Sequence, residues 1–234
     1  MCFSAEADLV AGVVVGVVGI DALRHTRRPA ERPLAALPLV FAAHQLVEAV
    51  VWWGLEDRIS DVLWHPARWV YLAIAFGVLP ILVPVAVGAI EPVSNRRRTS
   101  ILTLIGAGVA VALMTAVVRG PIETRIVGHH IEYRVDLWQG GLLVLLYVVA
   151  TCGSLLLSAH RRVRWFGVIN LVAVGLLAWL DQTAFISLWC AWAAVTSVAI
   201  AVHLRASHVP PVSSAAAPTP GDSPSRAAEA LPER

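Results

Sequence analysis

One apolar stretch of membrane length carries three polar side chains near its middle, and this feature limits the fold more than any other. Residues 34–55 are largely apolar except for His44, Gln45 and Glu48. A stretch of about 20 apolar residues is long enough to cross a bilayer as a helix. Ionisable groups at that depth are costly, so their presence calls for a structural or functional reason. The stretch therefore predicts a membrane helix with a polar site inside it.

The spacing of the two ionisable residues predicts how they are arranged. His44 and Glu48 are four residues apart, so a helix places them on one face, one turn apart. In that arrangement they can share a proton or bind one cation, and both side chains are also ligands that zinc accepts. The alternative is a buried polar pair that joins this helix to its neighbours by hydrogen bonds.

The composition supports a membrane protein and excludes two other classes. The chain is 58% hydrophobic and 15% charged, with a mean hydropathy of +0.72, whereas soluble domains carry about 25% charged residues. Its basic residues other than histidine are all arginine. Because a retinal Schiff base needs a lysine amine, that chemistry is excluded. A net charge of +2 is too small to predict a nucleic-acid partner.

Hydropathy predicts an all-α bundle of seven transmembrane helices over residues 1–205, followed by a disordered cytoplasmic tail at 206–234. The predicted spans are 5–24, 34–55, 68–90, 100–118, 138–158, 163–181 and 184–204. Pro80 and Pro84 predict kinks in the third span. Polar and apolar residues alternate around Gly128 within residues 119–137, which predicts a small external β-hairpin between the fourth and fifth spans.

The distribution of arginine predicts the orientation of the bundle. One set of connections carries eleven arginines, and the opposite set carries five. The eleven are Arg24, Arg27, Arg28, Arg32, Arg96, Arg97, Arg98, Arg161, Arg162, Arg164 and Arg205. Since cytoplasmic loops are enriched in basic residues, we expect the N-terminus outside and the C-terminus in the cytoplasm.

Other acids and a cysteine are secondary candidates for a site. Cys190, in the seventh span, is predicted at a depth similar to that of Glu48 and would be a third ligand, with His44 and Glu48, for a transition metal. Asp181, at the outer turn before that span, is a further polar group for a ligand site. The structural alternatives are a small buried cysteine and a helix cap. Glu6 and Asp8 open the first span, where acids complement the helix dipole.

Three short motifs carry a resemblance to a known family. They are the opening Met1 to Ala5 (Met-Cys-Phe-Ser-Ala), the segment Phe41 to Glu48 with its His-Gln-x-x-Glu pattern, and Trp189-Cys190. Together they resemble a family of uncharacterised bacterial seven-helix integral membrane proteins that begin Met-Cys-Phe-Ser-Ala. The resemblance covers residues 1–205. It implies the fold class and a location in the bacterial cytoplasmic membrane, and it implies no activity.

Three functions remain open from the sequence. The leading hypothesis is a non-enzymatic protein that binds or transports a small ligand, ion or proton. Its site is centred on His44 and Glu48 in the outer half of the bundle, with Gln45 and Asp181 as secondary groups. The second is an intramembrane metal-dependent hydrolase that uses His44, Glu48 and Cys190. The third is a structural or partner-binding membrane protein whose contact surfaces are the hairpin and the tail. The lipid bilayer is an expected partner in all three, and an oligomer is compatible with each.

Overall fold

The computed structural model describes residues 4–180, 196–198 and 200, and helices dominate it. The α-helices are α1 (Ala5–His25), α2 (Arg32–Leu55), α3 (Asp61–Leu72), α4 (Leu79–Ile90), α5 (Val93–Arg119), α6 (Gly140–Leu156) and α7 (Arg161–Leu180). A 3-10 turn, Pro29–Glu31, precedes α2, and a π-helical segment, Ala73–Val78, joins α3 to α4. Each of the first six predicted spans contains a helix. The seventh, 184–204, lies outside the described residues except for 196–198 and 200, which are helical.

Two helices begin earlier than the hydropathy predicts. The third predicted span starts at residue 68, whereas its helix begins at Asp61, and the fourth starts at residue 100, whereas α5 begins at Val93. Hydropathy marks only the apolar part of a helix, because backbone hydrogen bonding continues through charged residues at either end. The three arginines at 96–98 therefore lie in the first two turns of α5 and not in a connection.

Among the described residues, three helical stretches are long and apolar enough to cross a membrane. They are Pro29–Leu55, Asp61–Ile90 and Val93–Arg119. Gly140–Leu156 is apolar but shorter. The helices α1 and α7 contain 21 and 20 residues, and both carry charged side chains near an end.

The third predicted span contains the π-helical segment directly before Leu79 and Pro80, while the kinks at Pro80 and Pro84 stay predictions. The N–H of Leu79 donates to the carbonyl of Ile74, five residues earlier. The next donor in that register would be residue 80, but proline has no N–H. The carbonyl of Ala75 instead accepts a hydrogen bond of 2.9 Å from the hydroxyl of Tyr147 in α6. Because Pro80 has no N–H to donate, the carbonyl of Ala75 is left to accept this hydrogen bond, which joins α6 to the α3–α4 helix.

Neighbouring helices pack antiparallel, and glycines allow the close approach. A Cβ at Gly12 of α1 would lie 2.8 Å from the side chain of Leu46 in α2, and one at Gly19 would lie 2.7 Å from that of Leu39. Small residues let helix backbones approach in this way in membrane proteins. The pairs fix the antiparallel register of α1 against α2.

The predicted hairpin is confirmed. Strands β1 (Ile122–Val127) and β2 (His130–Val135) are antiparallel, and Val127 pairs with His130 next to the turn. Gly128 has a φ of +58°, a left-handed conformation that glycine adopts without a Cβ penalty.

The connections between the helices lie at two opposite ends of the protein, which we name the hairpin end and the arginine end. The hairpin end contains residues 56–60 and 120–139, and the arginine end contains residues 26–31, 91–92 and 157–160. The arginine-rich stretches all lie at the arginine end: residues 24–32 from the last turn of α1 to the start of α2, residues 96–98 in α5 and residues 161–164 in α7.

The outside of the bundle is apolar and its interior contains polar groups. Large apolar side chains are exposed on α1, α5, α6 and α7, among them Val10, Val13, Val17, Leu104, Val111, Leu145 and Val172. Buried polar side chains include Asp8, His44, Gln45, Glu48, Thr151 and Asn170. Water-soluble proteins keep ionisable side chains outside, so this distribution suits a protein whose solvent is a bilayer.

Candidate functional site

The polar residues of α2 face the interior of the bundle. His44 is 7% exposed, Gln45 is 1% exposed and Glu48 is fully buried. The sequence does not fix this orientation, because the neighbouring residues are apolar on every face. The structure thus places the three predicted side chains together inside the protein, in the half of α2 nearer the hairpin end.

A second acid, Asp8 of α1, lies at the level of Glu48. The Cβ position of Gly12 is 3.2 Å from the carbonyl oxygen of Ala42 and 2.8 Å from the side chain of Leu46. Asp8 lies one turn before Gly12 on α1. Because α1 and α2 are antiparallel, Asp8 lies at the level of the α2 residues one turn after those that Gly12 faces, and these include Glu48. Asp8 is only 1% exposed, so two facing helices each contribute one buried carboxyl group to this level.

The sequence interpretation missed Asp8 as a site residue. It assigned the residue to the helix dipole, which is sufficient for an exposed acid in a first turn. One signal was present: Asp8 precedes Gly12 and Gly16 at intervals of four residues, so it shares the glycine face that packs on a neighbour.

A column of stacked rings leads from His44 to the hairpin. The imidazole of His44 stacks on the ring of Tyr71 in α3 with a centroid distance of 4.0 Å and an interplanar angle of 30°. Tyr71 stacks in turn on Tyr133 of β2, at 4.5 Å and 14°. Three elements that are distant in sequence therefore meet at this end of the site.

The hairpin is fixed against the bundle and covers this end. Ile131 of β2 is 1% exposed and packs with Ala5, Val51 and Trp52. The Nη1 of Arg68 in α3 donates to the carbonyl of Ile122 at 3.1 Å. These contacts hold the hairpin over α1, α2 and α3 as a cover, whereas the sequence alone predicted an external hairpin without these contacts.

Two buried ring nitrogens of α2, in and beside the site, lack a hydrogen bond within the described part of the chain. Within the described part of the chain, Nε2 of His44 has no hydrogen-bond partner. The same holds for Nε1 of Trp52, which lies one turn beyond Glu48 on α2. A buried polar atom without a partner costs about 1–3 kcal/mol. A residue outside the described ranges, a ligand, an ion or a water would each satisfy such an atom.

The described residues do not assemble a complete metal site. Among residues 4–180, 196–198 and 200, no group of three or more His, Cys, Asp or Glu side chains is placed to hold a metal ion. Cys190 and Asp181 lie outside these residues. A transition metal bound by His44, Glu48 and Cys190 therefore stays a prediction, as does the contribution of Asp181.

If the hairpin covers the site, removing the ring of Tyr133 should make His44 react faster with a histidine-modifying reagent. In Tyr133→Ala the outer ring of the stack is removed, so we expect a histidine-modifying reagent to reach His44 several times faster than in the wild type. The measurement is the rate of diethyl pyrocarbonate labelling at His44, resolved by peptide mass spectrometry. Tyr133→Phe keeps the stacked ring and is the matched control, which should label at the wild-type rate. Equal labelling of all three proteins would mean that the hairpin is not a cover.

A separate buried acid, Glu91, joins two corners at the arginine end. Glu91 is 2% exposed and follows the last residue of α4. Its carboxylate accepts hydrogen bonds from the hydroxyl of Ser158, from the backbone N–H of Ala159 at 2.9 Å and from Nδ2 of Asn95 at 2.8 Å. Asn95 also donates to the carbonyl of Leu157 at 2.8 Å. This cluster, the Glu91 junction, fixes the α4–α5 corner to the α6–α7 corner.

The environment of Glu91 favours its ionised form. Burial by itself would raise the pKa of the carboxyl, but the hydrogen bonds from Asn95, Ser158 and Ala159 outweigh it and hold the pKa below the ordinary value of 4.5. The sequence interpretation missed this residue. The available signal was an acid directly after an apolar span and directly before Pro92.

Charges on the hairpin form a different, exposed arrangement. Glu132 accepts from Nε of Arg134 at 2.9 Å and from Nε of Arg125 at 2.7 Å. These hydrogen bonds hold the pKa of Glu132 below its usual value. Both arginines are more than half exposed, so this arrangement adds little stability.

A comparison with known protein families finds one family whose model matches most of this chain. The sequence profile described as "Family of unknown function (DUF6629)" matches residues 1–216. The chain belongs to this family. The DUF6629 match contains both buried clusters, the hairpin and all six helical spans that the structure describes. It agrees with the predicted resemblance to an uncharacterised family, while the shared motif and the bacterial origin stay predictions. Among curated proteins and among solved structures, none matches this DUF6629 chain.

Proposed function

We propose that this protein is a seven-helix protein of the bacterial cytoplasmic membrane that binds a proton or a small cation and moves it across the bilayer. The binding site consists of Asp8, His44 and Glu48 in the outer half of the bundle. Gln45, buried beside them, and Asp181 are secondary polar groups of the site. The protein acts in this proposal by binding and release and not by covalent chemistry.

The pair of buried carboxyl groups is the observation that carries this proposal. Asp8 is 1% exposed and Glu48 is fully buried, and they belong to facing helices at one level. Two carboxylates at one level in a medium of low dielectric repel each other, and this repulsion favours the uptake of a proton or a cation between them. The imidazole of His44, one turn from Glu48, adds a nitrogen that can accept a proton or coordinate a cation. The site is therefore suited to a positively charged ligand.

Two observations support the membrane setting of the site. Three helical stretches are long and apolar enough to span a bilayer, and apolar side chains face outward on the remaining helices. The arginine-rich stretches lie at one end and the hairpin at the other. Because basic residues stay on the cytoplasmic side, this favours an outward hairpin end, with ligand entry near the Tyr71–Tyr133 stack.

A flux assay in proteoliposomes tests the proposal. We expect wild-type protein to carry protons, or one of Na⁺, K⁺, Mg²⁺ and Zn²⁺, at a rate well above that of empty liposomes. Glu48→Gln keeps the size of the side chain but removes its charge, so its flux should fall to the rate of empty liposomes. Glu56→Gln is the matched control, because Glu56 also belongs to the α2 end but pairs with Arg58 outside the site. This control should keep the wild-type flux.

Two outcomes would contradict the proposal. In the first, correctly folded wild-type protein carries every tested ion no faster than empty liposomes do. The other is a flux that Glu48→Gln and Glu56→Gln leave equally intact, which would separate transport from the buried site.

A further inference from the structure

A groove between α4 and α5 opens on the outer surface of the bundle. Its volume is about 370 Å³, within the range of small-molecule sites. The lining residues are Pro84, Val85, Gly88, Arg96, Thr99, Ser100, Thr103, Leu104 and Ala107. From Arg96 to Ala107 the groove follows twelve residues of α5, a rise of about 16 Å along a helix.

The two ends of this groove differ in chemistry. The end near the arginine end of the bundle has a guanidinium, from Arg96, and two hydroxyl groups, from Thr99 and Ser100, which both donate to the carbonyl of Arg96. The other end is apolar, with Pro84, Leu104 and Ala107. A ligand that fits must therefore carry a polar head at the membrane boundary and an apolar chain directed toward the bilayer centre.

Charge indicates the sign of the polar head. Nε of Arg96 donates to the carbonyl of Glu91 at 3.3 Å, which fixes the base of the guanidinium. A guanidinium has five N–H donors, so four remain for a ligand, and guanidinium groups match phosphate oxygens well. Arg97 and Arg98 follow on the same helix but do not line the groove. The nearby carboxylate of Glu91 is committed to its own hydrogen bonds.

We propose that this groove binds one anionic phospholipid, with its phosphate at Arg96 and one acyl chain along Leu104 and Ala107. Basic pockets between membrane helices on the cytoplasmic side hold acidic head groups in this way. The site rests on the proposal that the bundle spans a membrane, but it is independent of the buried site at His44. Glu48→Gln should consequently leave lipid binding unchanged.

Native mass spectrometry of the full chain in mild detergent tests the lipid site. Wild-type protein, titrated with phosphatidylglycerol and with phosphatidylcholine, should retain one phosphatidylglycerol with about a fivefold preference. Arg96→Gln should lose the preference. Ala107→Trp, which fills the apolar end and leaves the charge in place, should lose the bound lipid. Arg97→Gln is the matched control, because the next residue on a helix points about 100° away, and it should bind as the wild type does.

Several results would overturn the assignment. Equal losses in Arg96→Gln and Arg97→Gln would indicate diffuse attraction without a site. Unchanged binding in Ala107→Trp would remove the acyl chain from the groove. Full competition by glycerol 3-phosphate, which has no acyl chain, would make the ligand a free phosphate compound. A dimer that Ala107→Trp dissociates would make the occupant a second copy of this chain. Thermal unfolding of each variant identifies any loss that is due to misfolding.

Discussion

Replacing Glu91 with alanine is expected to lower the free energy of unfolding by about 3 kcal/mol. The carboxylate accepts hydrogen bonds from Ser158, Ala159 and Asn95, and the substitution leaves all three donors without this acceptor. Since the Glu91 junction connects the α4–α5 and α6–α7 corners, we expect the loss to affect the packing of both. The measurement is denaturant-induced unfolding of the detergent-solubilised protein.

Acid provides a second test of the Glu91 junction. Because the pKa of Glu91 in the folded protein lies below 4.5, folding favours the ionised form. Its contribution is fully present above pH 4.5 and is lost as the pH falls through the lower, folded value. Wild-type protein should therefore lose more stability below pH 4.5 than Glu91→Ala does.

A control separates this junction from a general effect of acid. Glu123 is an exposed acid on β1, so Glu123→Ala should change stability by no more than about 0.5 kcal/mol and should keep the acid dependence of the wild type. If Glu91→Ala also keeps that full dependence, the junction does not contribute as its geometry indicates.

Gly106→Ala is expected to destabilise the protein by about 1–3 kcal/mol. A Cβ at Gly106 in α5 would lie 1.9 Å from the carbonyl oxygen of Pro80. That oxygen belongs to the backbone of α4 and cannot rotate away, so the two helices must separate. The expected result is a lower midpoint of thermal unfolding, measured in the same detergent as the wild type.

The control for this substitution lies two residues further along α5. A Cβ at Gly108 would meet nothing within 4 Å. Alanine is the better helix former by about 0.5–1 kcal/mol, so Gly108→Ala should be neutral or stabilising. Similar midpoints for Gly106→Ala and Gly108→Ala would show that α4 and α5 are not in the close contact described.

The helical spans and the hairpin were predictable because each depends on a local pattern. An apolar run of about 20 residues predicts a membrane-length helix, and alternation around Gly128 predicts the two strands that the structure contains. Helix ends were less accurate, since hydropathy does not report the polar turns of a helix. The π-helical segment was not predicted, because hydropathy does not distinguish one type of helix from another. The hydrogen bond from Tyr147 to its Ala75 carbonyl joins residues that are 72 apart in the sequence, so no local pattern reports it.

The sequence alone predicted less well which residues come together in the two buried clusters. His44 and Glu48 stand out because they interrupt an apolar span, but their partners do not. Asp8 satisfies the rule for an acid at a helix start, and only the glycine register with α2 places it at the level of Glu48. Glu91 depends on Ser158, 67 residues away. Contacts of this kind depend on which helix faces pack together. When every face of a helix is apolar, its sequence does not show which face is buried.

The two buried clusters imply different contributions to the protein. The Glu91 junction is saturated with hydrogen bonds from neighbouring backbone and side chains, as expected for a group that fixes structure. In the site near the hairpin, Nε2 of His44 has no hydrogen-bond partner among the described residues, although it is buried beneath stacked aromatic rings. We therefore expect substitutions at Glu91 to affect stability first and substitutions at His44 or Glu48 to affect ligand binding first.

The midpoint of thermal unfolding as a function of pH and of each added cation tests the buried site most directly. A cation at 100 times its dissociation constant stabilises the folded state by about 2.7 kcal/mol. We predict that protons or one cation raise the midpoint of the wild type and of Glu56→Gln, while the folded Glu48→Gln and His44→Ala variants do not respond. The same response in all four proteins, or no response to any ion in the wild type, would contradict a cation or proton site at Asp8, His44 and Glu48.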